Sequence, residues 1–488
     1  MGIKRYVAYK DNTITNAFEE NLTTRATSSN SGQADSLEVF SIFAQANSSS
    51  NEQARILVQF PCSSRDTNDY PDSGLVTIEA DRAAGKIPAS GSVNFFLKLY
   101  NVATDQTVPT DFTLVVKPVS GAAAVGKWEE GYGVDLDTYT DITYGSTGSN
   151  WVNRSANTAW SSTGGDYLTT RNYEKFFSSG IEDLEIDITD LVEDWINDTN
   201  GIPNGGVGIM LTASQESGSV RSYYTKRFSA RGSEYYFNRP VIEARWDSSQ
   251  KDNRGNFFAS SPSLSTADNS HTIYFYNYFR GQPKNLPGVG TGSVYVRVYD
   301  ERSEGTEITA TPGTGGFVST GVYSASLSLD THEEVVFDRW FSGSTYFHTG
   351  SIKVKEHYVS DAYYIPKYIT TITNMQPSYC KHDLNRFRVF TRLKNWNVTS
   401  YTVSQMKPQV EIVDDAYFKV FRTIDHKTVI SYGTGSINHT RLSYDVSGSY
   451  FDLDMSLLQP GFEYGFRFVY YINGAYEEQP ESFTFRVE

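Results

Sequence analysis

The feature that most constrains this chain lies near its C-terminus, where alternate residues from Phe462 to Tyr470 are all aromatic: Phe462, Tyr464, Phe466, Phe468 and Tyr470. A period of two places all five on one face of an extended strand. Asn473-Gly474 follows, a pair that accepts the positive φ angles of a type I′ hairpin turn, and Phe483, Phe485 and Val487 line the returning strand. The same alternation runs through 55–60 and 93–99, which predicts two further strands, each with one face on a core. With 39% hydrophobic and 14% aromatic residues, the chain carries too much packing material for general disorder. The fold class expected is all-β.

A chain of 488 residues exceeds what one β core organises, at roughly 100 to 200 residues per domain. The polar run Asp247 to Gly255 and the Ser/Pro-rich stretch from Ser260 to Ser265 place a boundary near residue 250. Three domains are expected: 1–250, 251–358 and 359–488. In the second, strands are predicted at Ile273 to Tyr278, at Val294 to Tyr299 and from Tyr323 onward, with a Gly-rich turn from Pro312 to Gly316. One short helix is predicted between Asp183 and Asn197, where Leu191, Val192, Trp195 and Ile196 recur at helical spacing and Asp190 with Glu193 suits a capping box.

Motifs that carry chemistry are weak. The formal charge of −15 repels polyanions, so nucleic acid is not an expected partner. Seven histidines form no i, i+4 or His-Glu pattern of a zinc site, and Asp135, Asp137 and Asp141 lack the glycine of a calcium loop, which Thr140 replaces. Gly288 to Ser293 leads into a strand where a phosphate cradle needs a helix N-terminus, and reads as a hairpin turn. The Gly-Thr-Gly-Ser strings at Gly290 and Gly433 have no helix behind them to present a nucleophile. No enzyme activity, cofactor or metal is expected. Trp151, Trp160, Trp340 and Trp396 sit among polar residues and are the candidates for a sugar-stacking platform, weighed against the simpler reading that each covers a core edge.

Cys62 and Cys380 are too few and too distant for a disulfide framework. No stretch approaches the roughly 18 apolar residues of a membrane helix, and the start Met1 to Tyr6 has no signal-peptide apolar run behind it, so neither export nor membrane anchoring is expected.

Three resemblances add to this reading. The string from Leu458 to Tyr464 resembles the tyrosine corner of fibronectin type III and related sandwiches, which implies an immunoglobulin-like C-terminal domain. Residues from about Ala34 to Asp247 resemble the DNRLRE domain, a β-sandwich assigned to carbohydrate-binding modules. The strings are the Arg55 to Phe60 strand, Trp128-Glu129-Glu130, Trp160 ahead of Gly164-Gly165, Asp187-Ile188-Thr189 with Val192 and Trp195, Phe228 to Arg231, and Arg239-Pro240. Asp187 is expected to cap the turn before the helix, Trp195 to plug that helix onto a sheet, and Arg239-Pro240 to open an edge strand. The chain as a whole, including the 238–247 junction and the 483–488 ending, is similar to virion proteins of large tailed bacteriophages.

Together these imply one large jelly-roll-like sandwich followed by two immunoglobulin/fibronectin-like sandwiches. The function expected from the resemblance is structural: a virion component of capsid decoration, neck, tail or fibre, made in the host bacterial cytoplasm. Its partners would be other virion proteins in a symmetric, multicopy assembly, with edge strands of the C-terminal domains as docking surfaces. The rival is an adhesin module that contacts surface glycan, and a polysaccharide-degrading enzyme ranks last.

Overall fold

The computed structural model describes residues 2–63, 75–104, 107–120, 127–133, 148–156, 158–218, 220–303, 305–309, 312–355, 357, 366–394, 400 and 410–488. The fold is all-β and multidomain, and divides into two compact units, Gly2–Trp246 and Asp247–Glu488.

The first unit contains β1 (Ile3–Val7), β2 (Lys10–Thr15), β3 (Ser36–Phe43), β4 (Asn51–Gln59), β5 (Asn94–Leu99), β6 (Phe112–Pro118), β7 (Asn153–Ser155), β8 (Thr158–Ala159), β9 (Tyr173–Phe177), β10 (Leu184–Asp187), β11 (Val207–Leu211), β12 (Ser222–Ser229) and β13 (Val241–Arg245). Among the described residues, one sheet runs β1-β13-β5-β10, and a larger one runs β12-β3-β4-β11-β6-β9 with β2 also paired to β4. The two sheets enclose the main core, which Ile56 and Val58 enter from β4, Phe95, Leu97 and Leu99 from β5, and Ile242 and Ala244 from β13.

The predicted helix is α2 (Thr189–Asn197), which follows α1 (Ile78–Ala83) and precedes the single turn α3 (Ala213–Glu216). Leu191, Val192 and Trp195 of α2 are buried in the main core. Its capping box does not form. Ile188 occupies the N-cap without a side-chain bond, Asp190 accepts from the Tyr173 hydroxyl at 2.6 Å, and Glu193 is held by both terminal nitrogens of Arg82 at 2.8 and 2.6 Å. Tertiary partners outbid the local cap. Asp187 does act at the turn, accepting from the Thr189 amide at 2.9 Å and hydroxyl at 2.6 Å.

Arg239-Pro240 does not open an edge strand, because β13 lies between β1 and β5. Pro240 stands one residue ahead of the paired stretch, and its carbonyl accepts from Ala8 at 2.9 Å, so the missing N–H costs the ladder nothing.

The second unit begins with β14 (Phe257–Phe258), β15 (His271–Tyr276), β16 (Tyr278–Phe279), β17 (Gln282–Pro283), β18 (Val294–Tyr299), β19 (Gly313–Ser319), β20 (Val322–Leu327), β21 (Val335–Ser342), β22 (Thr345–Thr349) and β23 (Ile352–Lys355). The main sheet has the order β14-β23-β21-β18-β19-β20-β15 and curls on itself, since the ring of Phe257 at one end lies 4.6 Å from that of His271 at the other. The glycines from Gly313 to Gly316 belong to β19 and not to a turn. A Cβ on Gly313 would stand 2.8 Å from Val296 Cγ1, and one on Gly315 2.8 Å from Val294 Cγ2, so these positions need glycine to let strands pack closely. Gly288 to Ser293 is a loop between β17 and β18, strands that pair elsewhere.

The remainder comprises β24 (Tyr368–Ile372), β25 (Ser378–Tyr379), β26 (Leu384–Leu393), β27 (Ala416–Arg422), β28 (Thr428–Ile430), β29 (Ser443–Asp445), β30 (Gly448–Asp454), β31 (Glu463–Ile472), β32 (Ala475–Glu478) and β33 (Phe483–Val487). The orders β24-β26-β30-β29 and β25-β33-β31-β27-β28 read, in chain sequence, as the A-B-E-D and A′-G-F-C-C′ sheets of an immunoglobulin-like sandwich. Asn473 and Gly474 take positive φ at the β31–β32 turn, as a type I′ hairpin requires. Five phenylalanines fill the centre: Phe451 lies 5.1 Å from Phe387, 4.1 Å from Phe418 and 5.1 Å from Phe466, which stacks on Phe485 at 4.7 Å.

Candidate functional site

The tryptophans singled out in the sequence are packing residues where they are described. Leu57 points from β4 away from the main core, and on that outer face Ile14, Val119, Trp128, Trp151 and Trp160 join it in a second apolar cluster. Trp151 is 7% exposed and Trp160 6%, so neither indole presents a face on which a sugar could stack. Trp160 Nε1 donates to the Asn150 carbonyl and Trp128 Nε1 to the Gly205 carbonyl, both at 2.9 Å, which satisfies buried donors. In the second unit Trp340 is fully buried and donates to Asp338 at 2.7 Å. Trp396 lies outside the described residues, as do Asp135, Asp137 and Asp141.

Beside the second cluster, a cleft of about 610 Å³ opens on the larger sheet of the first unit. Its floor is Arg55 of β4, whose Nε and Nη2 bind both oxygens of Glu216 at 3.1 and 2.6 Å while Nη1 reaches the Gly164 carbonyl at 2.9 Å. The guanidinium lies 5.2 Å from the Trp151 ring and 5.7 Å from that of Tyr167. Burial pushes the Tyr167 hydroxyl up to about 12, so it stays protonated at neutral pH. Asp166, on the same rim, accepts from the backbone of Ser161 and Ser162, both at 2.8 Å. These carboxylates already serve as structural acceptors.

A second cleft, of about 770 Å³, lies within the unit Asp247–Glu488. Asp252 caps a short 3-10 turn there and accepts from the Arg254 amide at 3.1 Å. Burial raises its carboxyl to about 6. Arg254 turns inward, and its two terminal nitrogens each bind an oxygen of Asp338 at 2.6 Å. Burial opposes charge on Asp338, yet Arg254 and Trp340 hold its carboxyl below the ordinary value. Tyr274 and Tyr276 stack at 6.2 Å on one wall, with Lys353 and Lys355 on another and Asp445 to Ser447 closing the rim. A perturbed acid in a polar cleft is a physical reason to look for ligands here. The groups come from the 3-10 turn at 252–255, from β15, β22 and β23 and from the β29–β30 turn, spread over nearly two hundred positions, so no local motif announces them.

Among the described residues no group of three or more His, Cys, Asp or Glu is placed to hold a metal ion, and no helix is long and apolar enough to cross a membrane.

No protein-family model matches the chain, and no curated protein matches it. Among solved structures, the native conformation of E. coli alpha-2-macroglobulin aligns over 99% of this chain at 8% identity and a TM-score of 0.15. The chain spans 26% of the length of that protein.

Proposed function

We propose that the chain is a structural component of a tailed-phage particle that works by binding neighbouring proteins of the assembly. The observation that carries this reading is the contrast between two edges of one sheet in the C-terminal domain. The β29 edge is covered by the chain itself: Tyr444 donates to the Gln250 carbonyl and Asp252 to the Tyr444 carbonyl, each at 3.0 Å. At the other edge β24 pairs with β26 on one side, and among the described residues no strand pairs with its other side. From Ile369 onward that edge reads Ile369-Thr370-Thr371-Ile372-Thr373, with no charge, proline or glycine.

Natural proteins blunt exposed edges with lysine, proline or a bulge, because a row of unpaired N–H and C=O groups recruits another strand. An uncharged, β-branched edge left without those devices suits strand addition by a partner, where backbone bonds supply affinity and alternate side chains supply specificity. In a closed symmetric particle every copy meets its neighbour through the same surface, so one edge serves the whole ring or lattice.

The reading is tested by quantitative mass spectrometry of gradient-purified particles from the phage that encodes the chain. A fixed copy number per particle, in a multiple of five, six or twelve, is the expected result. Absence from the particles would overturn it.

A further inference from the structure

The β16–β17 hairpin, a two-stranded sheet of its own, is electrostatically unlike the rest of this acidic chain. From Asn269 to Tyr299 the sequence has no Asp or Glu, and from Pro312 to Leu329 no charged residue at all, in a chain whose net charge is −15. At the hairpin tip, Arg280 and Lys284 bring their cationic groups to 5.3 and 5.0 Å from the ring centre of Phe279. Among the described residues neither cation has a carboxylate within ion-pair distance. Tyr278 and Phe279 are 60% and 55% exposed, and Phe317 and Val318 of the neighbouring β19 are 37% and 40% exposed.

The base of the hairpin is tied to the β19–β20 turn. Asn277 donates its amide to the Gly321 carbonyl at 2.7 Å and its side-chain nitrogen to the Lys284 carbonyl at 2.5 Å, Lys284 donates back to the Asn277 carbonyl at 3.0 Å, and Gly321 donates to Asn285 Oδ1 at 2.8 Å. The two-residue turn is Arg280-Gly281, with φ of 52° and 77°. The first position of such a turn favours Asn, Asp or Gly, and an arginine there carries a left-handed penalty of roughly 1 kcal/mol. Strain at an exposed tip that glycine would relieve points to a role for the side chain itself.

We propose that this hairpin is a binding site for an acidic polysaccharide, with Tyr278 and Phe279 stacking on sugar rings and Arg280 and Lys284 pairing with its carboxylate or sulfate groups. Aromatic faces take the apolar face of a pyranose, and an unpaired guanidinium binds oxyanions through its fork. Gln282, which pairs with Phe279, is exposed, as are Ser319 and Thr320 next to the Gly321 that Asn277 bonds, so an amide and hydroxyls near the hairpin are free to meet sugar hydroxyls. A bilayer-inserting tip would instead be ringed by apolar residues. The site is separate from the β24 edge and does not depend on the assembly reading.

The test measures binding of the full chain to alginate, a polyuronate, and to dextran sulfate, with neutral dextran and phosphatidylglycerol vesicles as controls. Binding to at least one acidic polymer, weakening with salt and absent for neutral dextran and vesicles, is expected. Phe279→Ala and Arg280→Gly should each reduce it tenfold or more. Arg280→Gly should leave the melting temperature equal to or above that of the parent, which separates lost contact from lost fold. Failure to bind either acidic polymer, binding unchanged in both variants, or binding to the vesicles alone would overturn the proposal.

Discussion

The phenolic oxygen of Tyr464 donates to the carbonyl of Gln459 at 2.8 Å and accepts from the amide of the same residue at 2.9 Å. One hydroxyl thus satisfies both backbone groups of a residue at the turn that carries the chain from β30 to β31. The Tyr464 side chain is 1% exposed, so water cannot replace it. Tyr464→Phe keeps the ring and orphans both groups. A loss of about 1–3 kcal/mol is expected, read as a lower urea midpoint with an unchanged slope. An unaltered midpoint would mean that the turn is fixed by its other contacts.

Trp151 and Trp160 separate a packing role from a sugar-binding one. Each is enclosed by the outer-face cluster, so Trp151→Ala or Trp160→Ala should cost about 3–5 kcal/mol and lower the melting temperature of the first unit. A sugar platform would show the opposite pattern, with stability retained and glycan binding lost. Calorimetry on the two variants distinguishes them.

The strands were legible in the sequence wherever alternation is regular: in β5 the burial alternates with it, and in β31 the aromatics from Tyr464 to Tyr470 are all buried, though Gly465 and Val469 on the other face are buried as well. What sequence alternation concealed was the second core. Alternation over 55–60 predicts one buried face, yet residues up to about a hundred positions away fold over Leu57 on the other face and bury it. The polar surroundings of Trp151 and Trp160 misled for the same reason, because Asn150 beside them uses its carbonyl to satisfy an indole and does not mark solvent. The glycines of β19 read as a turn because close approach of Val294 and Val296 leaves no trace in local sequence. Neither cleft was legible, since each draws its charged groups from distant strands.

Asp11 supplies a pH test. It is 1% exposed and accepts from the Arg231 amide at 2.5 Å, and its own amide donates to Glu130, whose carboxylate holds the Arg231 guanidinium. Burial raises its carboxyl from 3.8 to about 7. The folded state therefore holds a proton that the unfolded state has released between these values, so this group's contribution falls as pH rises from about 4 to 7. Asp11→Asn keeps an acceptor for Arg231 and cannot ionise. The variant should equal or exceed the parent in stability at pH 8, by at most about 4 kcal/mol, and should show a shallower decline between pH 4 and 7. Parallel pH profiles would refute the assignment.

Thr371 is exposed in the middle of β24, where a charge tests the edge without entering a core. Thr371→Lys should change the stability of the isolated chain by less than about 0.5 kcal/mol, as surface substitutions usually do. It should nonetheless lower incorporation into particles severalfold, because lysine on an edge opposes strand addition. Normal incorporation would place the assembly contact elsewhere.

If β24 receives a partner strand in the assembled particle, hydrogen–deuterium exchange over Ile369–Ile372 registers it. In the free chain the amides facing β26 should be protected and the alternate amides should exchange rapidly. In particles those alternate amides should slow by tenfold or more. Equal rates in the free chain and in particles would contradict it.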